Sequence, residues 1–166
     1  RAAMTGHQVF STLHTNSALG AIPRLLDIGV KPDILAGNII GIVAQRLVRK
    51  LCDKCKEAYE IEDLERNLLN LKSTDRQQVI YRSKGCPACE GQGYKGRMSL
   101  IEVLKFDSDM DELVARNATS KELLRMALSK GFKPLADVGS ARVIDGSTSI
   151  EEVARVVDLT SRLKQK

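Results

Sequence analysis

Two cysteine doublets, Cys52-Asp-Lys-Cys55 and Cys86-Pro-Ala-Cys89, hold all four cysteines of the chain, with 30 residues between them. Each short turn aims two thiolates at one point, and two such turns close a tetrahedral shell around a single ion, which is the pattern of a structural zinc site. Four thiolates leave no open coordination position, so zinc held this way orders the chain and takes no part in a reaction. Two disulfides, or four reduced thiols without metal, use the same spacing and stay open as alternatives.

A chain of 166 residues supplies one ordinary core, or a core with small satellites. Its 43% hydrophobic and 28% charged residues are those of a soluble globular protein. The net charge of +5 favours an acidic partner, but Lys and Arg are dispersed along the chain and form no run of six or more. Three Tyr, three Phe and no Trp leave little from which to build a base-stacking platform, so no nucleic acid is expected. Metal-type cysteine spacing, no signal peptide and no apolar run of 18 or more residues point to the cytoplasm, with no transmembrane segment. The opening Arg1-Ala2-Ala3-Met4-Thr5-Gly6 reads as a last helical turn stopped by glycine, and the chain is expected to be a piece of a longer protein.

Residues 7–13, His-Gln-Val-Phe-Ser-Thr-Leu, predict a short buried strand, followed by the polar turn His14-Thr15-Asn16-Ser17. Ala18, Ala21, Ile22, Leu25 and Leu26 predict a helix ending at Gly29 and kinked at Pro23. A second, nearly all-buried helix is expected from Pro32 to about Arg49, on the apolar set Ile34, Leu35, Ile39, Ile40, Ile42, Val43 and Leu47. Gly37-x-x-x-Gly41 in that run is read as close helix packing in a soluble core.

Between the doublets, Ile61, Leu64, Leu68 and Leu71 predict a short amphipathic helix, and Val79-Ile80-Tyr81 a small strand, in an insertion that depends on its metal to fold. Gly91, Gly93 and Gly96 suit the tight turns of a metal knuckle. They do not form a P-loop, because Arg97-Met98 follows where Lys-Ser/Thr would reach phosphate and magnesium, and no other stretch supplies one. Residues 98–105 read as a strand. Three helices then follow, announced by Ser108-x-x-Asp111, the capping box Thr119-x-x-Glu122 and a second box Thr148-x-x-Glu151, with breaks at Gly131 and Gly146.

His7 and His14 are the only histidines. His14 falls at the carboxyl end of the predicted strand and just before a helix N-terminus, a place that favours an anion, so a phosphate sensor is physically reasonable there. Two ordinary hydrogen-bonded histidines fit the same spacing, and no nucleophile or second base nearby indicates a triad. The residues so far admit two function classes: a zinc-ribbon nucleic-acid module, from the doublets and the positive charge, and a thiol or chaperone module, because Cys86-x-x-Cys89-x-Gly91-x-Gly93 resembles one repeat of a chaperone zinc domain.

Three motifs in order favour a third class. Thr5-Gly6-His7-Gln8-Val9-Phe10-Ser11-Thr12-Leu13-His14-Thr15-Asn16 resembles the histidine box of the secretion ATPase superfamily, in the branch of type II secretion and type IV pilus assembly motors. Ala44-Gln45-Arg46-Leu47-Val48-Arg49-Lys50-Leu51-Cys52 is similar to the segment leading into that branch's tetracysteine insertion. Gly85-Cys86-Pro87-x-Cys89, Gly93-Tyr94-x-Gly96-Arg97 and Glu102 resemble its exit. The tail, with Gly146-Ser147-Thr148-Ser149-Ile150-Glu151-Glu152-Val153, resembles the family's C-terminal end more loosely, and Asp137-Val138-Gly139-Ser140 departs from the pattern.

The resemblance implies an α/β fold: a partial RecA-like P-loop ATPase domain with a zinc-binding tetracysteine insertion and a C-terminal helical subdomain. It divides the chain into the C-terminal portion of the ATPase core (1–49), the zinc subdomain (50–97) and a strand with a helical tail (98–166). Function, by the same resemblance, is that of a homo-hexameric cytoplasmic motor peripheral to the inner membrane, using ATP and Mg2+ to drive pilus or pseudopilus assembly through inner-membrane platform and assembly proteins. His14 would sense the γ-phosphate, His7 would support the histidine box, and Cys52, Cys55, Cys86 and Cys89 would hold zinc. The Walker A loop would lie upstream, leaving these residues inactive alone.

Overall fold

In the computed structural model, residues 2–72 and 78–161 are described. They form a mixed fold of short helices and two small two-stranded sheets. The chain divides into two compact units, one from 1–44 with 102–133, the other from 45–101 with 134–166. Two long strands, β1 (Gly41–Leu51) and β4 (Tyr94–Lys105), pair as a ribbon and run from one unit into the other. At one end the Phe106 N–H donates to Ile40 O (3.0 Å), and at the other the Cys52 N–H donates to Gly93 O (3.0 Å), which makes the ribbon antiparallel.

In the first unit, helices α1 (Ala21–Asp27), α2 (Pro32–Leu35), α4 (Ser108–Ala115) and α5 (Ser120–Ser129) pack with the near end of the ribbon. Ala18, Ile22, Leu35, Leu104, Met110, Val114 and Leu123 form its buried core. The helix starts are chemically specified. Asp107 Oδ1 accepts from Met110 N–H (3.1 Å), and Thr119 with Glu122 makes the expected capping box, Glu122 N–H to Thr119 Oγ1 at 3.3 Å and Thr119 N–H to Glu122 Oε2 at 2.9 Å.

Three expectations for this part of the chain fail. Residues 7–13 form no strand and are exposed, with Phe10 at 88%. A strand needs a neighbour to take its N–H and C=O groups, and among the described residues none pairs with this segment. Pro23 kinks nothing, because α1 begins at Ala21 and puts the proline in its first turn, where a missing N–H costs no helical bond. The long helix from Pro32 to Arg49 is replaced by the four residues of α2, a break at Gly37 (φ +75°) and strand β1. Side chains of β1 alternate between exposed and covered, so the segment is not nearly all buried either. An unbroken apolar run fits both periods, and the β-branched Ile39, Ile40, Ile42, Val43 and Val48 decide for the strand.

In the second unit, β2 (Glu57–Glu60) and β3 (Val79–Arg82) pair antiparallel, Glu57 opposite Arg82 and Tyr59 opposite Ile80. Glu57 takes ion pairs from Arg82 (3.5 Å) and Lys84 (2.6 Å) at the open end of this hairpin. Helix α3 (Asp63–Leu68) is the foreseen amphipathic helix, and β3 the foreseen strand. The tail holds one helix more than expected. α6 (Leu135–Ile144) starts after Pro134, and α7 (Ile150–Ala154) is capped by Ser149, whose Oγ accepts from Glu152 N–H (3.3 Å). Thr148, expected as that cap, instead donates its hydroxyl to Arg49 O (2.8 Å). Gly139 lets α6 and α7 touch: a Cβ there would sit 2.5 Å from Val153 Cγ1.

The strongest polar tie in this unit is Glu152, 2% exposed. Its Oε1 accepts Arg49 N–H (3.0 Å) and an Arg155 guanidinium hydrogen (2.6 Å), while Oε2 takes Arg49 Nε (3.0 Å) and Nη2 (2.8 Å). Arg49 also lies 4.1 Å from the centroid of the Tyr94 ring, and the Tyr94 hydroxyl is 2.8 Å from Ser149 Oγ. Burial works to raise the pKa of Glu152, but the bonds to Arg49 outweigh it and the net shift is downward. Such a group contributes stability that is complete above the ordinary carboxylate range and is lost as pH falls below it. Glu152→Ala is expected to cost about 2–3 kcal/mol near neutral pH. In thermal unfolding followed by circular dichroism, its deficit against wild type should narrow as the pH is lowered from 6 toward about 3; a deficit independent of pH would contradict the clamp.

Candidate metal centre and histidine segment

In each doublet the carbonyl of the first cysteine accepts from the N–H of the second. Cys52 O accepts from the N–H groups of Cys55 (3.2 Å) and Lys56 (2.9 Å), and Cys86 O accepts from those of Cys89 (3.1 Å) and Gly91 (3.0 Å). Each turn thus points both of its sulfurs the same way. Gly85, just before the second turn, has φ +104°, and a Cβ on it would lie 2.5 Å from Gly91 O, so no other residue fits without moving backbone. Lys56 secures the first turn by donating to Gly146 O (3.1 Å) and pairing with Asp53 (3.1 Å).

All four Sγ atoms lie within 4.8 Å of one another. The separations Cys52–Cys86, Cys55–Cys89 and Cys86–Cys89 are 4.0, 3.8 and 3.8 Å. A disulfide needs about 2.05 Å, so the sulfurs are unbridged, as the free cysteines require. A tetrahedral ion with metal–sulfur bonds of about 2.3 Å sets sulfur–sulfur edges near 3.8 Å, and the cluster has that size. The residues therefore fit a tetrathiolate-bound metal ion. Among the described residues this is the one group of three or more His, Cys, Asp or Glu side chains placed to hold a metal.

Backbone donors distinguish the sulfurs. Gly93 N–H and Cys86 N–H point at Cys89 Sγ (3.1 and 3.3 Å). Burial acts to raise the Cys89 pKa, but these N–H groups favour the thiolate and bring it down to about 6. Cys55 goes the other way, pushed up to about 11 chiefly by desolvation, its Gly85 hydrogen bond only partly offsetting this. Without metal, Cys89 ionises before Cys55.

The histidine segment is open. His7 and His14 are both exposed, and His7 Nδ1 lies 2.9 Å from Thr5 Oγ1. Beyond His14, Thr15 Oγ1 donates to Ser17 O (3.0 Å) and Ser17 Oγ accepts from Gly20 N–H (3.0 Å), leading into α1. Sequence reasoning missed two buried acids, Glu102 (3% exposed) and Glu152 (2%). An acid at an inward position of a strand or helix was the available signal: Glu102 stands between Leu100 and Leu104 in the alternation of β4.

A family model described as "Type II/IV secretion system protein" matches residues 1–155. Type II secretion system protein E of Pseudomonas aeruginosa is 42% identical over 156 residues, which are 94% of this chain and 31% of that protein. Type II secretion system ATPase E of Vibrio cholerae is 40% identical over 156 residues, 94% of this chain and 31% of that protein. A type IV pilus assembly ATPase of Acinetobacter baylyi is 40% identical over 161 residues, 96% of this chain and 28% of that protein. The chain spans about a third of the length of these relatives.

Cobalt(II) added to the reduced chain should bind at one equivalent and give the visible bands of a tetrahedral tetrathiolate site, and Cys55→Ser should abolish them. A bound ion of this kind contributes on the order of 10 kcal/mol to a small domain. Chelation should therefore open residues 52–96 to protease while 102–133 stay protected, and protection of 52–96 that survives metal removal would refute the metal's structural role.

Proposed function

This chain belongs to the type II/IV secretion system protein family, and on that premise we propose that it is the C-terminal portion of a hexameric motor ATPase that drives assembly of a type II secretion pseudopilus or a type IV pilus. The observation that carries this reading is 40–42% identity, across 94–96% of the chain, to relatives named for those two machines, two of them as ATPases. Residues 1–49 complete the nucleotide edge of a RecA-like core, 50–97 form the metal subdomain, and 98–166 supply a strand and a helical tail. The motor works in the cytoplasm against the inner membrane, passing its movement to platform and assembly proteins there. Among the described residues no helix is long and apolar enough to cross a membrane.

His14 is the γ-phosphate sensor in this reading. It is exposed, at the end of an extended segment and four residues before the buried Ala18, so its imidazole is accessible to a phosphate held by other parts of the motor. His7, beside Thr5, steadies the start of the same segment. Cys52, Cys55, Cys86 and Cys89 hold zinc, which supplies order to the second unit and no chemistry to hydrolysis. The 166 residues contain no G-x-x-x-x-G-K-[ST] loop to cradle the β- and γ-phosphates, so ATP turnover requires residues beyond them.

The test uses the full-length protein. His14→Ala should lower magnesium-dependent ATP hydrolysis at least about tenfold, the scale of losing one positioned polar group at a transferring phosphoryl, with zinc content unchanged. The isolated 166-residue chain should show no such hydrolysis. Undiminished turnover in the His14 variant, or turnover by the chain alone, would sink the reading.

A further inference from the structure

We propose that Glu102 is a positioning residue for the histidine segment: its buried carboxylate, by accepting the Ala18 N–H, fixes the turn that carries His14 and so sets the rate of nucleotide hydrolysis. The inference rests on the reading of His14 given above, but its physical half stands on its own.

Glu102 occupies an inward position of β4, and two residues further on the same face Leu104 is 1% exposed. Leucine or valine would continue the alternation there without penalty. A carboxylate in that place costs several kcal/mol in lost hydration unless donors meet it, so it persists only where it has a polar task. One donor is visible: the Ala18 N–H, 84 residues away in sequence, points at Glu102 Oε1 at 2.5 Å. A charge-assisted bond of this kind is about twice as strong as a neutral one.

Ala18 is the place where such a bond has leverage. It is 0% exposed, while residues 7–14 are all exposed and 15–17 are exposed or half-covered, so Ala18 is the first buried residue after His14. Its carbonyl accepts Ala21 N–H (3.2 Å), the bond that starts α1, and Ser17 Oγ accepts Gly20 N–H (3.0 Å) in the same turn. Ala18 lies two residues before Gly20, the residue that caps α1, so its N–H has no partner within that helix. Glu102 supplies one, and in doing so it ties the start of the turn to the strand. With Ala18 fixed, His14 is held on a tether of three residues. Without the bond, the turn loses this directional tie to β4, and the apolar contacts of Ala18, Leu19 and Ile22 resist withdrawal from the core but not sliding or rotation. A misplacement of about 1 Å at a reacting group costs on the order of a hundredfold in rate, so loss of this anchor should be visible in turnover.

The experiment compares Glu102→Gln, Glu102→Leu and His14→Ala in the full-length protein, reading kcat and KM for magnesium-ATP, zinc content, and amide hydrogen exchange in residues 14–20. Leucine keeps the volume and the alternation of β4 but accepts no hydrogen bond; glutamine offers an amide oxygen to the same N–H. Glu102→Leu is expected to lower kcat about tenfold or more, with KM within about twofold, zinc retained and exchange of 14–20 accelerated. Glu102→Gln should recover most of the rate and of the protection. Wild-type exchange and turnover in the leucine variant would overturn the proposal, and so would a glutamine variant as slow as the leucine one. If His14→Ala turns over normally, the reading of His14 fails; faster exchange of 14–20 in the leucine variant would still establish the anchor, and unchanged exchange would remove it as well.

Discussion

The second unit depends on the convergence of four sulfurs brought together from turns 30 residues apart in sequence. The described elements between those turns are too slight to order themselves: strands of four residues each and a helix of six. A two-stranded hairpin is marginal in water, and a helix that short does not propagate past its nucleus. A metal ion held by all four sulfurs would close both ends at one point and remove most of the freedom such a loop would otherwise keep. The cluster also reaches the ribbon, because Cys52, which follows β1 and has its sulfur in the cluster, donates its N–H to Gly93 O just before β4. Packing then adds to what the thiols impose, as where Gly146 leaves room for the Tyr81 ring, which a Cβ would approach to 2.8 Å.

Hydrophobic burial alone does not fix the ends of the ribbon. Apolar side chains on one face of a strand tolerate a slip of two residues almost as well as the correct pairing, since alternation is preserved. Two buried carboxylates remove that freedom. Glu102 accepts one particular N–H, that of Ala18, and Glu152 accepts one particular N–H, that of Arg49, while also holding the guanidinium of the same residue. Directional bonds to named backbone groups fail completely when the register shifts, and a carboxylate stranded in the interior is a heavier penalty than a misplaced methyl group. Each unit has one such acid, and in each the acid and its backbone donor come from parts of the chain more than 80 residues apart.

The features legible in the sequence are those with a local cause. The cysteine spacing, the capping box at Thr119 and Glu122, the stop at Gly131 and the short strand at Val79 each depend on a few adjacent residues, and each is present. The failures come where the cause lies elsewhere. Residues 37–51 carry an apolar run that fits helix or strand, and pairing with residues 94–105 chooses the strand. Residues 7–13 have strand-like side chains and no partner among the described residues to make them one. Helix α6 has no polar cap to announce it, since Pro134 precedes it, and Thr148 was a plausible cap diverted to a carbonyl 99 residues away. Glu102 shares the inward face of β4 with Leu100 and Leu104, a local sign of burial, but the N–H groups that meet Glu102 and Glu152 lie more than 80 residues away.

The same distinction separates the two candidate sites. A four-thiolate shell contains all its donors within one chain, so spacing implies the site and geometry completes it. A phosphate-sensing histidine is one group of a site whose other members, the phosphate cradle and the magnesium ligands, belong to different residues. Its position can be read here, and its chemistry comes from what it faces. For that reason the order of the segment around His14 matters more than any interaction of the ring itself. An exposed imidazole on a loosely held segment samples many positions, and each adds an entropic cost to the one that meets the phosphate. The buried anchor at Ala18, four residues beyond the exposed His14, is the means by which, on the proposed reading of that histidine, the chain would limit this cost.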